Sequence, residues 1–155
     1  MLFEEEAPLN LGAGFSINGD IDTDTDLQGT LTFDGTGTVN GDTGDALLRL
    51  KAIDLLGAGT VTFNGDVFVG TFTNTGGSAV VFNGGFAGDF LFTTDSTFTL
   101  ADGGDFTGNI GTDADNQGTL DVLGESTITG TIGRAVGFPA NDLKEIKAGY
   151  IQGKT

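Results

Sequence analysis

Residues 26–44, DLQGTLTFDGTGTVNGDTG, return 89 positions later as residues 115–133, DNQGTLDVLGESTITGTIG, without a gap. Nine of the 19 positions are identical, and the others include apolar exchanges such as Phe33 for Val122 and Val39 for Ile128. The similarity extends upstream, so that residues 17–44 match residues 106–133 at 13 of 28 positions. A repeat of this length in a chain of 155 residues indicates an architecture built from recurring units.

A shorter phrase recurs along the chain, in which apolar residues alternate with polar ones, often Thr, and a turn signal usually follows. Its copies are residues 30–35 and 60–65 and, more loosely, residues 79–84, 97–102 and 119–122. Their starts are separated by 30, 19, 18 and 22 residues. Period-2 alternation closed by Asn-Gly or Asp-Gly predicts a half-buried strand that ends in a tight turn.

Further short strands are predicted between these copies, at residues 38–40, 67–73, 86–92, 106–110 and 127–132. Helical periodicity is confined to two segments, residues 46–56 and residues 142–150. These two segments align with each other across the long repeat, so we expect one shared structure for both, and strand rather than helix.

The near-regular spacing favours stacked coils, because each unit has too little apolar surface to fold alone. We predict an all-β chain that forms a right-handed parallel β-helix, a β-solenoid, and keep a β-sandwich as the alternative. Residues 15–155 are expected to form a single solenoid domain that contains the repeat. Residues 1–14 are expected to be an N-terminal extension or an edge segment.

The composition excludes several classes of function. The chain has no Cys and no His, which removes disulfides, thiolate or His-bound metal sites, and the usual Ser-His-Asp and Cys-His catalytic groups. A net charge of −16 makes nucleic acid and anionic membrane surfaces poor partners. No run of about 18 apolar residues occurs, so membrane insertion of this segment is not expected.

One acidic cluster is the candidate chemical site, with Asp20, Asp22, Asp24 and Asp26 at alternate positions. On a strand these four carboxylates would share one face. A solvated acidic turn is the plain interpretation, and a weak calcium site is the alternative, since calcium prefers oxygen ligands. A carboxylate pair acting on a polysaccharide is a third interpretation. No cofactor other than calcium is suggested.

The charges are also unevenly placed along the chain. Acidic residues crowd the start, whereas four of the six basic residues lie in the last 22 positions. Opposite charges on opposite ends of a solenoid would guide head-to-tail stacking, because uncapped ends expose unpaired strand edges. The candidate assembly residues are Glu4, Glu5, Glu6, Lys144, Lys147 and Lys154.

The phrases LQGTLTFDGTGTVNGDTG, LLRLKAIDLLGAGTVTFNGDV and DNQGTLDVLGESTITGTIG resemble passenger domains of bacterial autotransporters. They are most similar to the Gly/Thr/Asn-rich surface antigens of the rickettsial outer-membrane type. The resemblance covers residues 15–155 and implies a long β-solenoid used for surface display, adhesion or spacing. It supplies no catalytic residue.

We therefore expect a non-enzymatic, extracellular or cell-surface structural and adhesive β-solenoid, a segment of a bacterial surface-displayed passenger protein. Its expected partners are proteins, either further copies stacked end to end or a host or cell-surface protein. Two alternatives remain open. One is a self-assembling subunit of an extracellular filament, and the other is a polysaccharide-acting enzyme built on a β-helix.

Overall fold

The computed structural model describes residues 1–133 and 141–149. The described chain is all-β and contains no helix, and its parallel strands stack as a β-solenoid of about 6 turns. The strands are β1 Leu2–Phe3, β2 Pro8–Leu11, β3 Phe15–Ile17, β4 Asp22–Thr23, β5 Gln28–Phe33, β6 Gly37–Val39, β7 Leu50–Leu55, β8 Thr60–Phe63, β9 Val67–Asn74, β10 Ala79–Phe82, β11 Phe86–Phe92, β12 Thr97–Leu100, β13 Phe106–Thr112, β14 Thr119–Val122, β15 Ile128–Ile132 and β16 Glu145–Ala148.

Two seven-stranded sheets form the long sides of the solenoid. Sheet 1 has the order β15-β13-β11-β9-β7-β5-β2, and sheet 2 has the order β16-β14-β12-β10-β8-β6-β3. Successive strands of the chain alternate between the two sheets from β5 onwards, so each coil contributes one strand to each side. The sandwich alternative is wrong, because the described pairings are all parallel whereas a sandwich pairs its strands antiparallel.

A third, narrower side closes the interior. In the first coils it consists of the parallel pair β1–β4 and of single bridges that join Ile21 to Thr43 and Thr43 to Val67. In later coils the N-terminal ends of the longer sheet 1 strands continue it, since Val67 pairs with Phe86 and Phe86 with Phe106. The three sides enclose one continuous apolar column.

The alternating sequence explains why these strands face one interior. In β10 and β12 every second residue is buried, and the residues between them are half-exposed. Phe rings from neighbouring coils stack inside, with ring centroids 5.3 Å apart for Phe63 and Phe82, and 5.0 Å apart for Phe72 and Phe90. Rings from different sides meet edge to face, an arrangement that adds roughly 0.5–1.5 kcal/mol per pair beyond area burial.

The long repeat places its two copies on different sides. Strand β5 lies in sheet 1, whereas its repeat partner β14 lies in sheet 2. Within sheet 1, Leu31 and Ile110 are four strand steps apart. Leu120 lies ten residues further along the chain, in sheet 2. Leu31 and Leu120 are both fully buried, so the two copies serve the interior alike although their strands lie in different sheets. Both sheets need the same pattern of inward apolar and outward polar residues, so the pattern does not distinguish them.

The predicted strands form with small changes at their ends. The two segments of ambiguous periodicity both contain strands, β7 and β16, again in different sheets. Sequence reasoning did not predict strands β1 to β4. Strand β2 pairs with β5 and is the edge strand of sheet 1, so part of residues 1–14 lies in the sheet.

Candidate functional site

An asparagine ladder runs along one corner of the solenoid, where the chain leaves sheet 2. The Nδ2 of Asn40 donates to Oδ1 of Asn18 at 2.7 Å, and the Nδ2 of Asn64 donates to Oδ1 of Asn40 at 2.6 Å. Asn83 continues the ladder by donating to Asn64 at 2.7 Å. Each side-chain amide thus forms a hydrogen bond with the side-chain amide of the next coil. This row of bonds fixes the register of four successive corners.

A column of aspartates lies beside this ladder. The Oδ1 of Asp20 accepts the backbone N–H of Asp42 at 3.0 Å, and the Oδ1 of Asp42 accepts that of Asp66 at 2.8 Å. Asp66 in turn accepts the N–H of Gly85 at 2.7 Å. The sequence carries the signal for both columns, since Asn-Gly-Asp recurs at residues 18–20, 40–42 and 64–66, but sequence reasoning missed it.

Strand β4 covers only Asp22–Thr23, and Asp20, Asp22 and Asp24 are exposed at alternate positions around the buried Ile21 and Thr23. Asp20 belongs to the corner column, and Asp24 accepts the Thr25 hydroxyl at 3.2 Å. Within residues 1–133 and 141–149, no group of three or more acidic side chains is arranged to hold a metal ion. Asp20 and Asp24 thus have separate local hydrogen-bond partners.

Asp26 has a specific partner in the next coil. Its carboxylate accepts hydrogen bonds from Nε and Nη2 of Arg49 at 3.1 and 2.8 Å, and from the Arg49 backbone N–H at 2.9 Å. These hydrogen bonds, together with the charge of Arg49, lower the pKa of Asp26 to about 2. The pair links two coils at the surface and compensates the charge of Arg49.

The candidate assembly residues are partly engaged within the chain. Glu6 pairs with Lys51 at 2.7 Å, Lys147 pairs with Glu145 at 3.4 Å, and Lys144 pairs with Asp95. Glu4 and Glu5 are exposed in the first coil. Lys154 lies outside the described residues, so its position remains a prediction.

A surface cleft lies where sheet 1 meets the third side. It consists of two adjoining cavities, of about 370 and 280 Å³, which share Ala87 and Thr107. Asp66, Phe68 and Asp105 line the first cavity. The second cavity lies towards Arg49 and Asp89. Cavities of a few hundred Å³ with converging polar groups are the usual form of a binding site.

Glycines form the floor of the cleft for a steric reason. A Cβ on Gly108 would lie 1.8 Å from the carbonyl oxygen of Gly88, and one on Gly88 would lie 2.2 Å from that of Val69. Both glycines have positive φ, +140° and +153° respectively, and the pairing of β9 with β11 carries a bulge between Ala87 and Asp89. A bulge bends a strand, so the outer surface here is concave and lined by backbone.

The walls of the cleft are mainly acidic. Asp105 accepts the backbone N–H of Thr127 at 3.0 Å with Oδ1, and Asp89 accepts the backbone N–H of Asn109 at 3.1 Å in the same way. Arg49 is the cation that lines the second cavity, and its charge is already compensated by Asp26. The cleft thus combines a negative wall with a rigid backbone floor, and sequence reasoning did not anticipate it.

Comparison with known proteins does not identify the chain. No protein-family model, no curated protein and no solved structure matches the chain. Among the described residues, no helix has both the length and the apolar character that crossing a bilayer requires.

Proposed function

We propose that this chain is a non-enzymatic, extracellular structural and adhesive β-solenoid, a segment of a bacterial surface-displayed passenger protein. The observation that carries the proposal is the stacking of about 6 parallel turns around one apolar column. Such a stack fixes outward side chains in rows that neighbouring coils extend, which suits display and spacing. The resemblance of the repeated phrases to autotransporter passengers supports the same role.

The chemistry of the acidic groups favours binding over catalysis. A polysaccharide-acting enzyme needs a carboxylic acid that stays protonated beside a second, ionised carboxylate. Burial raises the pKa of Asp54, but Asp54 interacts with the Thr73 hydroxyl on sheet 1 and does not line the cleft. In the cleft, Asp66 and Asp105 instead hold backbone amides of the next coil.

Surface display is testable with a single-cysteine variant, because the chain has no Cys of its own. Leu47 is 83% exposed, so a Leu47→Cys thiol would be open to a membrane-impermeant maleimide. In the bacterium that carries the gene, intact and lysed cells should label equally. Label that appears only after lysis would refute surface display, and a Val61→Cys variant, at a fully buried position, controls for labelling of unfolded chain.

A filament subunit is the second candidate, and the strand edges favour it. Strands β2 and β3 end the two sheets on one side of the described stack, and β15 and β16 end them on the other. Each edge presents backbone groups that could pair with a second copy. Because several of the end charges are already paired internally, stacking should depend little on salt. Negative-stain electron microscopy at low and high salt tests this candidate, and single particles at every protein concentration would exclude it.

A further inference from the structure

We propose that the cleft binds a basic, extended segment of a protein partner, with a Lys or Arg side chain seated in the cavity between Asp66 and Asp105. The inference deepens the proposed adhesive function and rests on it for its biological setting, because it names the chemistry of the bound partner. It follows from the charge of the cleft, its shape and its rigidity, which are independent observations.

The negative charge of the cleft favours a cationic ligand. Asp66, Asp89 and Asp105 each use Oδ1 to accept a backbone N–H, and among the described residues no Lys or Arg forms an ion pair with them. Arg49 adds no net charge, because Asp26 compensates it across a 2.8 Å contact. A concave site with three uncompensated carboxylates, on a chain of net charge −16, attracts cations and steers their approach.

The first cavity suits a long cationic side chain. Its volume of about 370 Å³ is bounded by two carboxylates and by the half-exposed ring of Phe68. An ammonium or guanidinium group over an aromatic face gains a cation–π attraction, and its alkyl stem packs on the apolar part of the ring. A small metal ion would gain less here, since no three acidic groups of the described chain converge.

The elongated shape of the cleft favours an extended peptide segment over an isolated amine. The two cavities share Ala87 and Thr107 and follow strand β11 from Gly85 towards Asp89. Four residue steps of an extended strand cover about 13 Å, so an extended segment of about four residues matches the cleft. The backbone floor is fixed by the glycines, so little ordering entropy is lost when a partner binds.

The test uses the full chain and a fluorescein-labelled peptide, Gly-Lys-Gly-Arg-Gly. In the control peptide, Gln replaces both the Lys and the Arg. The test variant is Asp66→Asn with Asp105→Asn, which keeps each Oδ1 acceptor and removes two charges. The matched control is Asp34→Asn with Asp113→Asn, which removes two exposed charges that do not line the cleft. Circular dichroism checks that every variant is folded.

Fluorescence anisotropy should show that the basic peptide binds the wild-type chain more weakly as salt rises, and that the Gln peptide does not bind. Loss of both cleft charges should weaken binding about tenfold, whereas the control variant should change it less than about twofold. Equal losses in the two variants would overturn the proposal, since the chain would then attract the peptide only through its net charge. Binding of cellohexaose or maltoheptaose in place of the basic peptide would also overturn it. Neither failure touches surface display, which the maleimide experiment measures separately.

Discussion

Gly108→Ala should severely destabilise the protein, because the coils leave no room for a side chain there. The new Cβ would lie 1.8 Å from the carbonyl oxygen of Gly88, at a φ of +140°. Non-bonded carbon and oxygen normally stay about 3.3 Å apart or more, so β11 and β13 would separate by about 1.5 Å. Ladder hydrogen bonds near 2.9 Å would then exceed their limit of about 3.5 Å.

The magnitude follows from these two effects. Losing two or three ladder bonds costs about 2–3 kcal/mol, and the positive φ costs a further ~1–3 kcal/mol. The free energy of unfolding should therefore fall by ~3–6 kcal/mol, a large part of the ~5–15 kcal/mol typical of a domain.

Urea denaturation followed by far-ultraviolet circular dichroism measures this loss, because the chain has no Trp and a single Tyr. The matched control is Gly12→Ala, where a Cβ would meet nothing within 4 Å, and it should change stability by less than ~0.5 kcal/mol. If Gly108→Ala does not fold, Gly130→Ala is the alternative: its Cβ would lie 1.6 Å from the carbonyl oxygen of Gly108, but β15 has only one described neighbour in sheet 1, so the loss should be smaller and measurable. A Gly108→Ala protein within ~1 kcal/mol of wild type would refute the register between β11 and β13.

Three further predictions concern the interior, the corner and the surface. Phe72→Ala should cost ~3–5 kcal/mol in urea denaturation, because Phe72 is fully buried among four other Phe rings, and a loss below ~1 kcal/mol would contradict that packing. Asn64→Ala should destabilise more than Asn18→Ala in the same assay, since Asn64 makes two ladder bonds and Asn18 makes one; the reverse order would argue against the ladder. Arg49→Gln should return the pKa of Asp26 from about 2 towards 3.8 in an NMR titration of the carboxyl carbon, and an unchanged pKa would contradict the pair. Because the folded pKa is depressed, the pair stabilises the fold fully above about pH 4 and loses that contribution as the pH falls through 2.

The alternating residues and the spacing of the repeated units were sufficient to predict the strands from β5 onwards and the stacked coils. Segments such as β10 and β12 carry apolar residues at every second position and a turn signal after them, and both become half-buried strands. The same pattern suits either sheet, so it could not place β5 and β14 on different sides. That assignment depends on the number of residues per coil, which corner lengths set.

The candidate site was harder to predict, because its parts come from several coils. The Asn-Gly-Asp corners were visible in the sequence as a recurring triplet, and attention to its spacing would have predicted the ladder. The cleft had no comparable signal. Asp66 and Asp105 are 39 positions apart in sequence and line one cavity only because the intervening strands stack in register.

The central claim, that the repeated sequence encodes coils stacked in register, is most directly tested by a pair of spin-label distances. Five strand steps in sheet 2 separate Ser16 from Asp121, and four separate Thr38 from Asp121. At about 4.8 Å per step, the backbone distances should be about 24 and 19 Å. Labels on the double-cysteine variants should therefore report distances that differ by one step of about 5 Å. Two distances that do not differ in this way would contradict the stacked solenoid.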